Sequence, residues 1–162
     1  MQQGIWIGGR SDLGSFLSQP ADETFVGFVV MSNFPGAAWL DEYRDRVNGD
    51  PELNVIGEWF NTTFTLTFGD HRYALKIDQG KIAEIIAAPR LDVRSSFGFT
   101  APVEVWEKFL GPDPPPLYHD FFAMLMRVPE FRLEGDGLVA MQNARALHRL
   151  MNIMRETGMP DA

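Results

Sequence analysis

Along "TTFTLTFGDHRYALKID", Phe64, Leu66 and Phe68 alternate with Thr63, Thr65 and Thr67, and Tyr73, Leu75 and Ile77 then alternate with Arg72, Ala74 and Lys76. A period of two sends alternate side chains to opposite faces, so the run predicts two strands, each with one apolar and one polar face. The Gly69-Asp70 pair between them predicts a hairpin, and Gln79-Gly80 predicts a second turn into "KIAEIIAAP". In that third segment Ile82, Ile85 and Ile86 do not alternate, so the pattern leaves its apolar face open. A fourth strand over "DVRSSFGF" sets Val93, Phe97 and Phe99 on one face, with Gly98 as a candidate bulge. A fifth, "EFRLE", sets Phe131 and Leu133 against Glu130, Arg132 and Glu134 and stops at Gly135-Asp136-Gly137.

Helical spacing fills the intervals. From Pro35 to Asn48, Leu40, Tyr43 and Val47 share a face, Asp41, Glu42 and Asp45 turn to water, and Gly49 is a stop. Thr100 is placed to cap a helix over 102–110 whose stripe is Val103, Trp106 and Leu110. After an extended "PDPPP" connection, "LYHDFFAMLMR" is apolar on nearly every side, as a buried helix or one covering a ligand would be. The last helix, 138–155, repeats Ala140, Ala144, Leu147, Met151 and Met154 at spacings of four and three, with Gln142, Arg145, Arg149 and Asn152 opposite. Residues 1–35 read as an irregular arm with Gly4, Gly8, Gly9, Gly14 and Pro20; within it "TFVGFVVM" fits a strand and a buried helix equally.

Composition narrows the class. A chain of 162 residues with 45% hydrophobic and 22% charged positions suits one globular domain with a sizeable core. A net charge of −8 repels phosphate backbones and anionic bilayers, so nucleic acid is not an expected partner. The absence of cysteine removes disulfide and thiolate chemistry and fits the cytoplasm. The first residues lack the basic start and unbroken apolar run of a leader, and "FVGFVVM" is far shorter than the roughly twenty residues of a membrane helix. No stable membrane insertion is expected.

The order of elements, and three stretches within it, resemble the sterol carrier protein type 2 family of lipid-binding domains. The stretches are "WFNTTFTLTFGDHRYALKIDQGK", "DVRSSFGFTAPVEVWEKFL" and "FRLEGDGLVAMQNARAL", within residues 36–156. Around that domain stand the arm at 1–35 and a tail at 157–162. The resemblance implies an α+β fold: a five-stranded mixed, largely antiparallel sheet covered by helices and enclosing an apolar tunnel. The arm and the proline-rich connection from Gly111 to Leu117 are departures from the family pattern.

Under that resemblance the ligand-binding wall is Phe97 and Phe99 on the fourth strand, with Trp106, Phe109 and Leu110 on the helix after it. It continues through Tyr118, Phe121, Phe122, Leu125 and Met126, and ends on Met141, Ala144, Leu147, Met151 and Met154. Methionine is flexible and polarizable, so such a wall adapts to several ligand shapes; the competing reading is that these side chains fill a core. His71, His119 and His148 form no zinc pattern, so no metal and no cofactor is expected. Neighbours in "YHD" at 118–120 point about 100° apart on a helix, so they form no relay, and Tyr118 or His119 is left as a candidate for orienting a polar head. Ser95 and Ser96 lack a nucleophile elbow. Glu84 is either buried, and then a candidate acid or base, or facing water on an edge strand without a chemical role.

The expected function is non-catalytic binding of an apolar small molecule such as a lipid, fatty acyl chain or sterol-like compound, for delivery or storage. One alternative is an interaction domain with a self-filled core that pairs with itself or a partner enzyme. A second is an enzyme acting on a tunnel-bound substrate, for which no titratable pair stands out.

Overall fold

The computed structural model describes residues 34–159; "TFVGFVVM" and the rest of 1–33 lie outside the described residues, as do 160–162. In chain order the elements are α1 (Ala37–Asn48), α2 (Pro51–Ile56), β1 (Thr62–Phe68), β2 (His71–Asp78), β3 (Lys81–Ala87) and β4 (Phe97–Ala101). Then follow α3 (Val103–Leu110), α4 (Phe121–Arg127), β5 (Arg132–Gly135), α5 (Gly137–Gln142) and α6 (Ala144–Thr157). The strands form one open sheet in the order β3-β2-β1-β4-β5, antiparallel except for the parallel β1–β4 pair.

Both turns that the alternating pattern predicts are present. Phe68 pairs with His71 across Gly69-Asp70, and Asp78 with Lys81 across Gln79-Gly80. Gln79 and Gly80 both have positive φ, 50° and 76°, as a two-residue turn matching the strand twist requires. The ambiguity of the third strand has a local cause: its register against β2 shifts between Lys76 and Ile77, so Ile82 is buried whereas Ile85 and Ile86 are only half-buried. Asn48, at the end of α1, donates to Ile82 O and accepts from Ile82 N at 3.1 and 2.8 Å, which covers part of this edge strand.

One face of the sheet carries Phe64, Leu66, Phe68, Leu75, Phe97 and Phe99, all buried. Helices pack on that face, as ring contacts from Trp39 and Trp106 to Phe68 and from Phe121 to Phe99 show. The other face carries Thr63, Thr65, Thr67, Arg72, Lys76, Thr100, Arg132 and Glu134. Helix α6 lies among α1, α2, α3 and α4. Tyr43 of α1 donates to its Leu150 O at 3.1 Å, and burial pushes the Tyr43 phenol above its ordinary range.

Several boundaries differ from the pattern. Residues 92–96 precede β4 as irregular chain, so Val93 is not a strand residue. Gly98 is no bulge, because the β1–β4 register runs unbroken through its pairing with Thr65; a Cβ there would stand 2.0 Å from Thr65 Oγ1. Thr100 belongs to β4, and Pro102 takes the N-cap position of α3 without a side-chain cap. The last helix is two, interrupted at Asn143, and α2 is an element that the spacing does not predict. We predict that Gly98→Ala lowers stability by about 2 kcal/mol in urea titrations and that adding Thr65→Ala recovers most of it. Additive losses in the double variant would show that the crowding lies elsewhere.

Candidate functional site

The layer between sheet and helices is built of rings. From β1 and β4 come Phe64, Phe97 and Phe99, with Phe64 and Phe97 stacked at 5.3 Å between centroids. Phe121 of α4 meets Phe99 edge-on at 5.0 Å, and Phe131 stacks on Phe99 at 5.9 Å while presenting its edge to Trp106 at 5.3 Å. Such offset and edge-on pairs add about 1 kcal/mol each beyond the area they bury. The Trp106 indole N–H donates to Thr67 O at 2.9 Å, so even the largest ring leaves no polar atom unpaired. From the helix side Met124, Leu147, Leu150, Met151 and Met154 complete the layer, all at most 1% exposed.

Polar groups gather at the margin, where α4 meets α6. Asp120 caps α4 by accepting from Ala123 N–H at 3.0 Å, and its second oxygen lies 2.8 Å from His148 Nε2. Burial pushes the Asp120 carboxyl up, but hydrogen bonds from His148 and from the Ala123 and Phe122 amides outweigh it and hold it below the usual carboxylate range. The His148 ring stacks on Phe122 at 5.8 Å. One turn further along α6, Asn152 reaches His148 Nδ1 at 3.4 Å, and Arg155 donates to the His119 carbonyl. His148, Asn152 and Arg155 thus form a polar stripe that fastens the 118–120 loop and the start of α4.

Most of the residues expected to line a ligand site do meet in the apolar layer. Phe97, Phe99, Trp106, Phe109, Leu110, Phe121, Leu147, Met151 and Met154 are buried there. Tyr118, Phe122, Leu125 and Ala144 are half-buried, and Met126 and Met141 stand on the surface at 79% and 42% exposure. Glu84 faces water and pairs with Lys76 at 2.7 Å, which gives it no chemical role. The margin is only partly legible in the sequence: "YHD" shows three neighbours, whereas Asp120 finds its partner 28 residues later. The signal available is the spacing of four and three that links His148, Asn152 and Arg155 on one helical face.

A cleft of about 360 Å³ lies elsewhere, at the end of the sheet, lined by Gly69, Asp70, Thr100, Ala101, Pro102, Glu130, Arg132 and Glu134. It is open to solvent, is bordered by four charged side chains and does not coincide with the apolar layer. Among the described residues, no helix is long and apolar enough to cross a membrane.

An α+β chain with a five-stranded sheet of this order and a continuous apolar layer under its helices has a sterol-carrier-protein-2-like fold. Two solved structures show the likeness. A conserved hypothetical protein from Thermus thermophilus, described as possibly a sterol carrier protein, aligns with a TM-score of 0.59 and 18% identity, covering 78% of this chain and 90% of its own. Sterol carrier protein 2 aligns with a TM-score of 0.58 and 19% identity, covering 74% and 95% respectively. No protein-family model and no curated protein sequence matches the chain.

Proposed function

We propose that the protein is a non-catalytic carrier or store for an apolar small molecule, an acyl chain or a molecule of similar polarity, held in the cytoplasm between the sheet and helices α3, α4 and α6. The observation that carries this reading is the unbroken apolar character of that layer: its side chains are rings, leucines and three methionines. Each ligand methylene moved from water into such surroundings gains about 0.8 kcal/mol, so binding needs no catalyst. A tunnel for the ligand opens by movement of α4, a seven-residue helix whose attachment to α6 at its start is mostly polar and aromatic. Met124, Met151 and Met154 adjust around the incoming chain.

The direct ring contacts favour a second reading. Rings at 5 to 6 Å centroid separation fill the layer themselves, as an interaction domain with a self-filled core would have it. A homodimer or a partner enzyme would then be the ligand.

Titration of the protein with a fluorescent acyl probe separates the two. The carrier reading predicts saturable binding at one site per chain, displaced by unlabelled fatty acid and abolished in a folded Met151→Arg variant. Unchanged probe affinity in that variant, with its circular dichroism intact, would place the ligand outside the layer.

A further inference from the structure

Two cations converge where the apolar layer reaches the surface. Arg155, in the last turn of α6, lays its guanidinium 5.6 Å from the Phe109 ring centroid, and Phe109 is fully buried. Lys108, in the last turn of α3, holds its Nζ 5.3 Å from the Tyr118 ring centroid. Arg155 also donates to the carbonyl of His119, so the two cations, from different helices, meet consecutive residues of one loop. Among the described residues neither is ion-paired, although the chain as a whole carries a net charge of −8. A place at a helix C-terminus suits a cation, because the exposed carbonyls there are its partners. The His119 carbonyl accepts from one nitrogen of Arg155 only. The Arg155 Nε is buried and, among the described residues, has no hydrogen-bond partner, which is costly for a charged donor.

We propose that Arg155 and Lys108 form the head-group site of the carrier, so that its ligand is an anionic amphiphile, with a carboxylate or phosphate at the end of an apolar chain. The inference rests on the carrier reading and adds to it the chemistry of the ligand's polar end. An oxyanion beside Arg155 supplies the acceptor that Nε lacks and, with two oxygens, engages the guanidinium fork. Phe109, beneath the guanidinium, belongs to the apolar layer, so the chain attached to the anion enters directly among the rings. Loop 117–120 frames the site. Leu117, at a φ of 78°, is in a left-handed conformation that a branched side chain seldom adopts, and it directs the loop after the prolines.

The test compares an undecanoic acid carrying a dansyl group with its methyl ester. The wild type is expected to bind the acid at least about tenfold more tightly than the ester. Arg155→Gln should remove that preference, and Lys108→Gln, on the surface, should reduce it. Dodecyl phosphate and dodecanoate as competitors then separate a phosphate from a carboxylate. Equal binding of acid and ester by the wild type would overturn the head-group site and leave the carrier reading standing, as would a preference that survives in both folded variants. Failure of both probes to bind the wild type would overturn the two together.

Discussion

Arg149→Ala is expected to lower the free energy of unfolding by about 3 kcal/mol, read as a fall in the urea midpoint. Arg149 grips Asp50 through two hydrogen bonds, Nη2 to Oδ1 at 2.6 Å and Nε to Oδ2 at 3.1 Å, and also reaches Glu156 at 3.0 Å. Asp50 is only 7% exposed and caps α2 by accepting from Leu53 N–H at 2.9 Å. Removing the guanidinium therefore leaves a buried carboxylate with its cap but without its counter-charge. Arg149→Lys should recover only part of the loss, because an ammonium cannot reproduce the two-point grip.

The same pair gives stability a pH dependence. The hydrogen bond from Arg149 holds the Asp50 carboxyl below its ordinary range, against the opposing effect of burial, with the Leu53 amide assisting. A depressed carboxyl pKa contributes stability that is present above the unfolded value of about 3.9 and is lost as pH falls through the folded one. Urea midpoints of the wild type should fall below about pH 4, and the fall should be shallower in Arg149→Ala. Parallel acid limbs in the two proteins would contradict the role given to the pair.

Phe99→Ala should cost about 4 kcal/mol, since the ring is fully buried against Phe64, Phe97, Phe121 and Phe131. The variant also bears on function. It leaves a dry hollow in the layer proposed to take ligand, so a short hydrocarbon such as toluene should raise its melting temperature, and more so than that of the wild type. A hollow that collapses, with no response to toluene, would show the layer to be a core that closes on itself.

Strands β1 and β2 are legible because Thr65, Thr67 and Arg72 alternate with Phe64, Leu66, Tyr73 and Leu75 and mark the period. β3 is not, because the shift beside Ile77 breaks that period, and residues 92–96 look like strand because apolar spacing alone cannot tell an approach from a ladder. Gly98 misleads for a related reason: what excludes a side chain there is Thr65 on the neighbouring strand, invisible along the sequence. In the apolar layer, Leu147, Met151 and Met154 follow helical spacing, and Phe97 and Phe99 follow strand alternation. Met126 and Met141 show the limit, since a helix apolar on nearly every side does not say which side is covered. The polar margin depends on pairs far apart in sequence, Asp120 with His148 and Arg155 with the His119 carbonyl, which only the packing of α6 brings together.

Under the proposed function, the layer between sheet and helices takes up a molecule other than the protein's own side chains. Native mass spectrometry of protein purified from cells under gentle conditions tests it most directly. A loaded carrier should appear as a species heavier than the bare chain, whose added mass is released on denaturation and extracts as an amphiphile. A bare chain at every concentration, or a dimer without added mass, would contradict it.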